Sequence, residues 1–132
     1  MIVVDSVGWI EYFIDGPLAD RYAHYIEDPD GLAMPSIVVY EVFKKILRDS
    51  GEHSAVEAIA NMQKTAVVPL TSELAIRAAD LSLTHKLPMA DAIVYATAQS
   101  LDATVVTGDQ HFKVLPGVEF VSVLRVKKPP EA

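Results

Sequence analysis

Four short, largely apolar runs recur along the chain: Ile2-Val3-Val4, Leu32-Ala33-Met34, Ala66-Val67-Val68-Pro69 and Ala103-Thr104-Val105-Val106-Thr107. Each is too short for a helix and lacks polar alternation, so each reads as a strand buried on both faces. Two helix-length segments lie between each consecutive pair. Strands spaced in this way need right-handed crossovers, which place helices on both faces of a parallel sheet. The expected architecture is therefore a three-layer α/β/α sandwich with a mainly parallel central sheet, in a single domain.

Punctuation residues set the expected boundaries. Ser6 caps a helix carrying Trp9, Ile10 and Phe13 on one side, and Gly16-Pro17 ends it. Leu18 to Glu27 reads as helix, and Asp28-Pro29-Asp30-Gly31 as a turn. Ser36 is the expected cap of a helix running to about Arg48, and Ser50-Gly51 breaks it. His53 to Lys64 follows, with Val56, Ile59, Ala60 and Met62 facing the core. Thr71-Ser72 opens a helix over Glu73 to His85 with Leu74, Ala75, Ala78, Leu81 and Ser82 at helical spacing. Leu87-Pro88 starts a helix of small apolar residues through Ala98. Gln110 to Phe112 reads as one helical turn and Glu119-Phe120-Val121 as a fifth, edge strand. No linker or repeat divides the chain, so residues 1–126 form the domain and 127–132 a flexible tail.

Composition removes several classes of function. The absence of cysteine excludes disulfides, thiolate zinc sites and a cysteine nucleophile. A formal charge of −7 argues against a nucleic-acid binder held mainly by a basic surface, though not against an enzyme that cuts nucleic acid through bound metal. No apolar run is long enough to span a bilayer, and Met1 to Asp5 does not begin a signal peptide, so a soluble cytoplasmic protein is expected. No dinucleotide, P-loop or Gly-x-Ser-x-Gly pattern occurs. The four histidines show no metal-ligand spacing such as His-x-x-x-His.

The acids are more informative. In open α/β sheets, ligands bind beyond the carboxyl ends of the strands. Asp5 ends the first strand and Asp109 lies just past the fourth, so both reach one sheet edge if those strands are neighbours. Asp91 stands in the first turn of the small-residue helix, where a helix dipole alone would account for it. Glu41 is flanked by Val38, Val39, Tyr40, Val42 and Phe43, and Lys44 and Lys45 offer it an intrahelical ion pair. Taken singly, each acid has such a structural explanation. Taken together they make an oxygen-rich pocket suited to Mg²⁺ or Mn²⁺.

The same residues carry a resemblance. Asp5-Ser6 after an apolar strand, Glu41 in the third helix, Leu87-Pro88-Met89-Ala90-Asp91-Ala92 with Ala96-Thr97-Ala98, and Thr107-Gly108-Asp109-Gln110-His111-Phe112 resemble the PIN domain. More narrowly, they resemble VapC toxins of VapBC toxin–antitoxin pairs, over Ile2 to about Val121. The resemblance implies that Asp5, Glu41, Asp91 and Asp109 bind Mg²⁺ or Mn²⁺ and support endoribonuclease activity, with Asp109 acting directly or through water. It implies that Ser6 and Thr107 orient carboxylates or water. It also implies a homodimer and a cognate VapB-type antitoxin that blocks the site. An acidic surface is a poor one for RNA in general, so a particular structured RNA is the expected substrate. Lys44, Lys45 and Arg48 are candidate phosphate contacts, whereas Trp9, Tyr12 and Phe13 read as core or interface groups.

Two other readings compete. A receiver-like signalling module also gathers acids and Mg²⁺ at strand ends, but it needs paired acids after the first strand and a phosphoacceptor after the third. Here Asp5 is alone and the third strand ends in Val68-Pro69. A catalytically inactive PIN-like scaffold is disfavoured by the presence of all four acids.

Overall fold

A computed structural model describes residues 1–121; the tail expected at 127–132 and the boundary at 126 lie outside them. The chain runs β1 (Ile2–Val4), α1 (Ser6–Phe13), α2 (Ala19–Ile26), β2 (Ala33–Pro35), α3 (Ser36–Ser50), α4 (Glu52–Met62), β3 (Ala66–Val68), α5 (Ser72–His85), α6 (Met89–Ser100), β4 (Thr104–Thr107) and β5 (Val118–Phe120). Single 3₁₀ turns at Pro29–Gly31 and Gln110–Phe112 precede β2 and follow β4.

All strand pairs are parallel. β1 lies on β4 with Val4 opposite Val106, and β4 lies on β5 with Thr107 opposite Phe120. β2 lies on β3 with Met34 opposite Val67, and a bridge from Ile2 to Leu32 joins this ladder to the first. The spatial order is thus β3-β2-β1-β4-β5. From β1 the chain winds outward to β3, then returns past β1 to β4 and β5. The direction of winding reverses between β1 and β4, and the crevice at their carboxyl ends is the place where doubly wound folds bind ligands.

Val3, Val4, Val105 and Val106 are essentially inaccessible. Adjacent strand residues point to opposite faces, so both faces are covered, as the apolar runs required. β3 departs from that expectation. Ala66 and Val67 are exposed because β3 is an outer strand, paired only with β2 among the described residues. A run of three apolar residues does not distinguish a central strand from an edge.

Helix α6 lies deepest. Every residue from Ala92 to Ala98 is buried, which suits a helix with apolar residues all round. Within that stretch the two polar side chains have partners: Tyr95 donates to the Pro116 carbonyl at 2.7 Å and Thr97 to the Ile93 carbonyl at 2.8 Å. The Tyr95 ring also meets Phe112 edge-on at 6.0 Å. No described helix is long and apolar enough to cross a membrane.

Three local expectations need correction. Asp5, not Ser6, caps α1, its side chain accepting from the Gly8 amide. Ser36 does not cap α3; its hydroxyl accepts from the Leu70 amide at 3.2 Å, tying α3 to the segment after β3. The core face of α4 is Ala55, Ala58 and Met62, while Val56 and Ala60 are exposed. Small residues permit close packing against α3, and that decided the phase over hydrophobic bulk. In α5 the buried positions are Leu74 and Ala78, and Ala75 between them is exposed.

Candidate metal centre

Asp5 leaves the end of β1 into the crevice and is nearly inaccessible. One carboxylate oxygen accepts from the Gly8 amide at 3.0 Å, and the other accepts the Thr107 hydroxyl. The Asp5 amide in turn donates to the Val106 carbonyl, which holds the two strand ends together. Gly8 makes this cap possible: a Cβ there would lie 2.5 Å from the Tyr22 ring and 2.6 Å from Val4. Burial pushes the Asp5 carboxyl up to about 6, Asp109 and Glu41 adding to the rise and the bonds from Thr107 and Gly8 opposing it.

Thr107 ends β4 and is completely buried. Its hydroxyl donates a hydrogen bond to Asp5 and accepts one from the Asp109 amide at 3.0 Å. One side chain thereby fixes the relation between the first acid and the turn that carries the fourth. Asp109 caps that turn by accepting from the His111 amide at 2.9 Å.

Asp91 is the third residue of α6 and projects toward the Asp109 turn. It does not cap its helix; Pro88 holds that position and makes no side-chain cap. Burial, repulsion from Asp109, a hydrogen bond with Asp109 and Glu41's charge push the Asp91 carboxyl up to about 7, with His111 opposing. His111 Nδ1 lies 3.2 Å from Asp91 and 2.8 Å from Asp109. The three side chains each offer a donor atom, and all three atoms fall within 4.8 Å of one another.

Glu41 approaches from α3. Burial raises its pKa most, a hydrogen bond from Ser6 opposes, and Asp109 adds repulsion. The intrahelical ion pair that would have explained it away does not form. Lys45 pairs with Asp49 at 2.9 Å, and Lys44 reaches the Tyr40 hydroxyl at 3.3 Å. Ser6, displaced from its expected capping role, instead contacts Glu41.

The four acids therefore meet at one crevice, though not equally. Asp91 and Asp109 form the tight group with His111. Asp5 and Glu41 stand outside that group and within electrostatic reach of it. His111 is the group that residue spacing missed. Its signal was its place two residues beyond Asp109 on the same turn, not a pairing with another histidine. The donor chemistry fits a hard divalent cation: carboxylate oxygens dominate, and burial with mutual repulsion raises three of the acids.

Fold and site together define a doubly wound α/β domain with an acid-lined crevice at its switch point. Residues 2–118 match the family model of the PIN domain, and the chain belongs to that family. Similar solved structures share its fold. A toxin–antitoxin complex from Klebsiella pneumoniae is 22% identical at a TM-score of 0.81, over 93% of this chain and 100% of that one. The sarcin-ricin loop cleaving toxin VapC20 of Mycobacterium tuberculosis is 19% identical at 0.77, over 93% and 98%. VapBC2 from Rickettsia felis, bound to a promoter DNA fragment, is 14% identical at 0.71, over 92% and 98%. No curated protein matches the sequence significantly.

Proposed function

We propose that this PIN-domain chain is a metal-dependent endoribonuclease, the toxin of a VapBC-type pair, which hydrolyses phosphodiester bonds in a particular structured RNA. The observation that supports this most is the gathering of Asp5, Glu41, Asp91 and Asp109 at one sheet edge, with Asp5 and Asp91 pushed up to about 6 and about 7. Acids held in that way are poised to release protons to solvent when a cation takes their place. Asp5, Glu41, Asp91 and Asp109 would hold Mg²⁺ or Mn²⁺. Ser6 and Thr107 orient Glu41 and Asp5. A bound ion of this kind lowers the pKa of water and offsets charge developing on a phosphoryl group.

The chain's own surface supports a nucleic-acid path to this edge. Between α1 and α3 lies an open cleft of about 290 Å³, lined by Ser6, Ile10, Tyr40, Glu41, Lys44 and Arg48 among others. Lys44 Nζ sits 5.5 Å over the Tyr40 ring, and Tyr40 is 57% exposed. Lys45 and Arg48 share the single carboxylate of Asp49. Three cations against one acid leave a positive strip beside Glu41 on a chain of net charge −7. Such a strip suits backbone phosphates of one preferred RNA better than nucleic acid at large.

The partners follow from the same reading: a cognate VapB-type antitoxin covering the crevice, a second copy of the chain in a homodimer, and action in the cytoplasm. The acidic surface complements a basic antitoxin tail. The test has two parts. Expression alone arrests growth, and co-expression of the adjacent short reading frame relieves it. Purified protein with Mn²⁺ or Mg²⁺ cuts structured RNA to 5′-phosphate and 3′-hydroxyl ends, and chelator stops the cutting. Growth without arrest, together with intact RNA in every metal, would sink the proposal.

A further inference from the structure

We propose that His111 is itself a metal ligand through Nδ1, and that its imidazole tilts the site from Mg²⁺ toward Mn²⁺ and Zn²⁺. The inference rests on the metal-dependent reading above and extends it to the site's choice of ion.

The spacing of the donor atoms carries the argument. His111 Nδ1 is 2.8 Å from Asp109 Oδ1 and 3.2 Å from Asp91 Oδ2. Adjacent ligands of an octahedral ion with bonds of about 2.1 Å stand about 3.0 Å apart. The two separations bracket that edge length, so the turn places the ring nitrogen within bonding reach of an ion held by both carboxylates, which would take the place of the hydrogen bond between Nδ1 and Asp109. The turn is firmly built. The His111 amide donates to Asp109, and the Asp109 amide donates to buried Thr107. The ring's position is thereby tied to the same strand end that positions Asp5. Core packing does not explain the ring, because the His111 side chain is 52% exposed. It turns inward at one atom, toward the two carboxylates.

The chemical consequence follows from ligand softness. Carboxylate and water suit Mg²⁺, whereas imidazole favours zinc and other transition ions, and affinity rises from Mn²⁺ toward the later divalent metals. A nitrogen beside two carboxylates makes the centre a mixed nitrogen–oxygen site, and Zn²⁺ takes both donor types.

Calorimetric titration of MgCl₂, MnCl₂ and ZnCl₂ into the metal-free full chain, beside His111→Ala and His111→Asn, tests this without reference to activity. Alanine is expected to weaken Zn²⁺ most and Mn²⁺ by about tenfold or more, while leaving Mg²⁺ nearly unchanged. Asparagine, which returns an oxygen donor, restores Mn²⁺ in part and Zn²⁺ not at all. Spin-echo spectroscopy of bound Mn²⁺ should show coupling to one ring nitrogen in wild type and none in alanine. Equal losses for the three ions, tighter binding of all three in alanine, or no nitrogen coupling in wild type would each overturn the ligand role. Tighter binding would mean that the imidazole competes with the ion. If wild type bound none of the three ions, the metal-dependent reading itself would fall with it.

Discussion

The two walls of the crevice are built on opposite principles. On the strand side, Asp5 is buried and each of its oxygens has a fixed donor, from Gly8 and from Thr107. On the helix side, Asp91 and Asp109 are partly open, repel one another and share His111. On the first wall every carboxylate oxygen has a donor from the fold. The second holds excess negative charge that hydrogen bonds do not settle. Two acids in an apolar setting need not share a fate: both oxygens of one are hydrogen-bonded by the fold, and the other keeps a charge repelled by its neighbour. A site made only of the first kind would be a folding motif, and one made only of the second would not hold its geometry.

The largest expected effect comes from removing charge on either wall. Asp5→Asn and Asp91→Asn should each lower RNA cleavage by about 10²–10³-fold or more, the scale associated with losing one preorganised electrostatic group. Both should remain folded. Asn keeps an oxygen for the Gly8 amide, and Asp91 is not its helix's cap. The comparison breaks if either variant cleaves at the wild-type rate, or if Asp5→Asn unfolds.

Next in size is a pH effect that separates the metal-free protein from the loaded one. Burial lifts the Asp5 carboxyl from 3.8 to about 6. Between those values the unfolded chain ionises while the folded chain keeps its proton, so folded stability falls as pH rises. Two units correspond to about 3 kcal/mol, lost between roughly pH 4 and 7. Asp91, lifted to about 7, acts in the same direction over a wider window. Metal-free protein should therefore resist urea better at pH 5 than at pH 8, and Asp5→Asn should abolish part of that difference. Mn²⁺ should reverse the order by holding the acids ionised. Metal-free stability that rises from pH 5 to pH 8 would refute the account.

The walls differed as much in the sequence as in the structure. The strand wall is legible: an apolar run ending in Asp5 and another ending in Thr107 require only that β1 and β4 be neighbours. The parallel sandwich was legible for the same reason, since buried runs and helix-length spacers leave few topologies. The helix wall was not legible in full. His111 is placed by the tight turn after β4, and no residue spacing reports a contact made through a cap. Hydrophobic bulk alone sets α4 in the wrong phase, because Ala55 and Ala58 signal close packing only once α3 is in place. Ser6 was read as a cap, although Asp5 beside it is an equally good one, and only the structure shows which hydroxyl and carboxylate face Glu41.

Intermediate effects are expected at the hinge between the walls. Thr107→Val keeps the shape but strips Asp5 of a donor and the Asp109 amide of its acceptor, at a cost of about 1–3 kcal/mol. The lost bond had lowered the Asp5 pKa, so the acid limb of the cleavage profile moves to higher pH. Gly108→Ala attacks the spacing instead. Its Cβ would stand 2.8 Å from the Val121 carbonyl oxygen, a backbone atom. Overpacking of this kind costs about 1–3 kcal/mol, and the strand end must shift between Thr107 and Asp109. Melting curves check both. A Gly108→Ala protein as stable and active as wild type would show that the two walls need no fixed spacing.

The smallest expected effect lies off both walls, at Lys44. Among the described residues no carboxylate pairs with its ammonium, which rests over Tyr40. Lys45 and Arg48, by contrast, are held by Asp49. Lys44→Ala should leave stability within about 0.5 kcal/mol, as for most surface changes away from special features. Its effect should appear only with RNA present. Measured on the cleavage-dead Asp91→Asn background, affinity should fall uniformly across RNA sequences, and the salt dependence should lose about one phosphate contact. Lys45→Ala provides the contrast. Removing it frees Asp49 to hold Arg48 alone, so the local charge falls by the same unit while the cation nearest the Tyr40 ring is kept. If the two alanines weaken RNA equally, the strip acts as a diffuse positive field. If Lys44 matters more, the strip has a defined phosphate position beside Glu41, and the crevice gains a third, cationic wall.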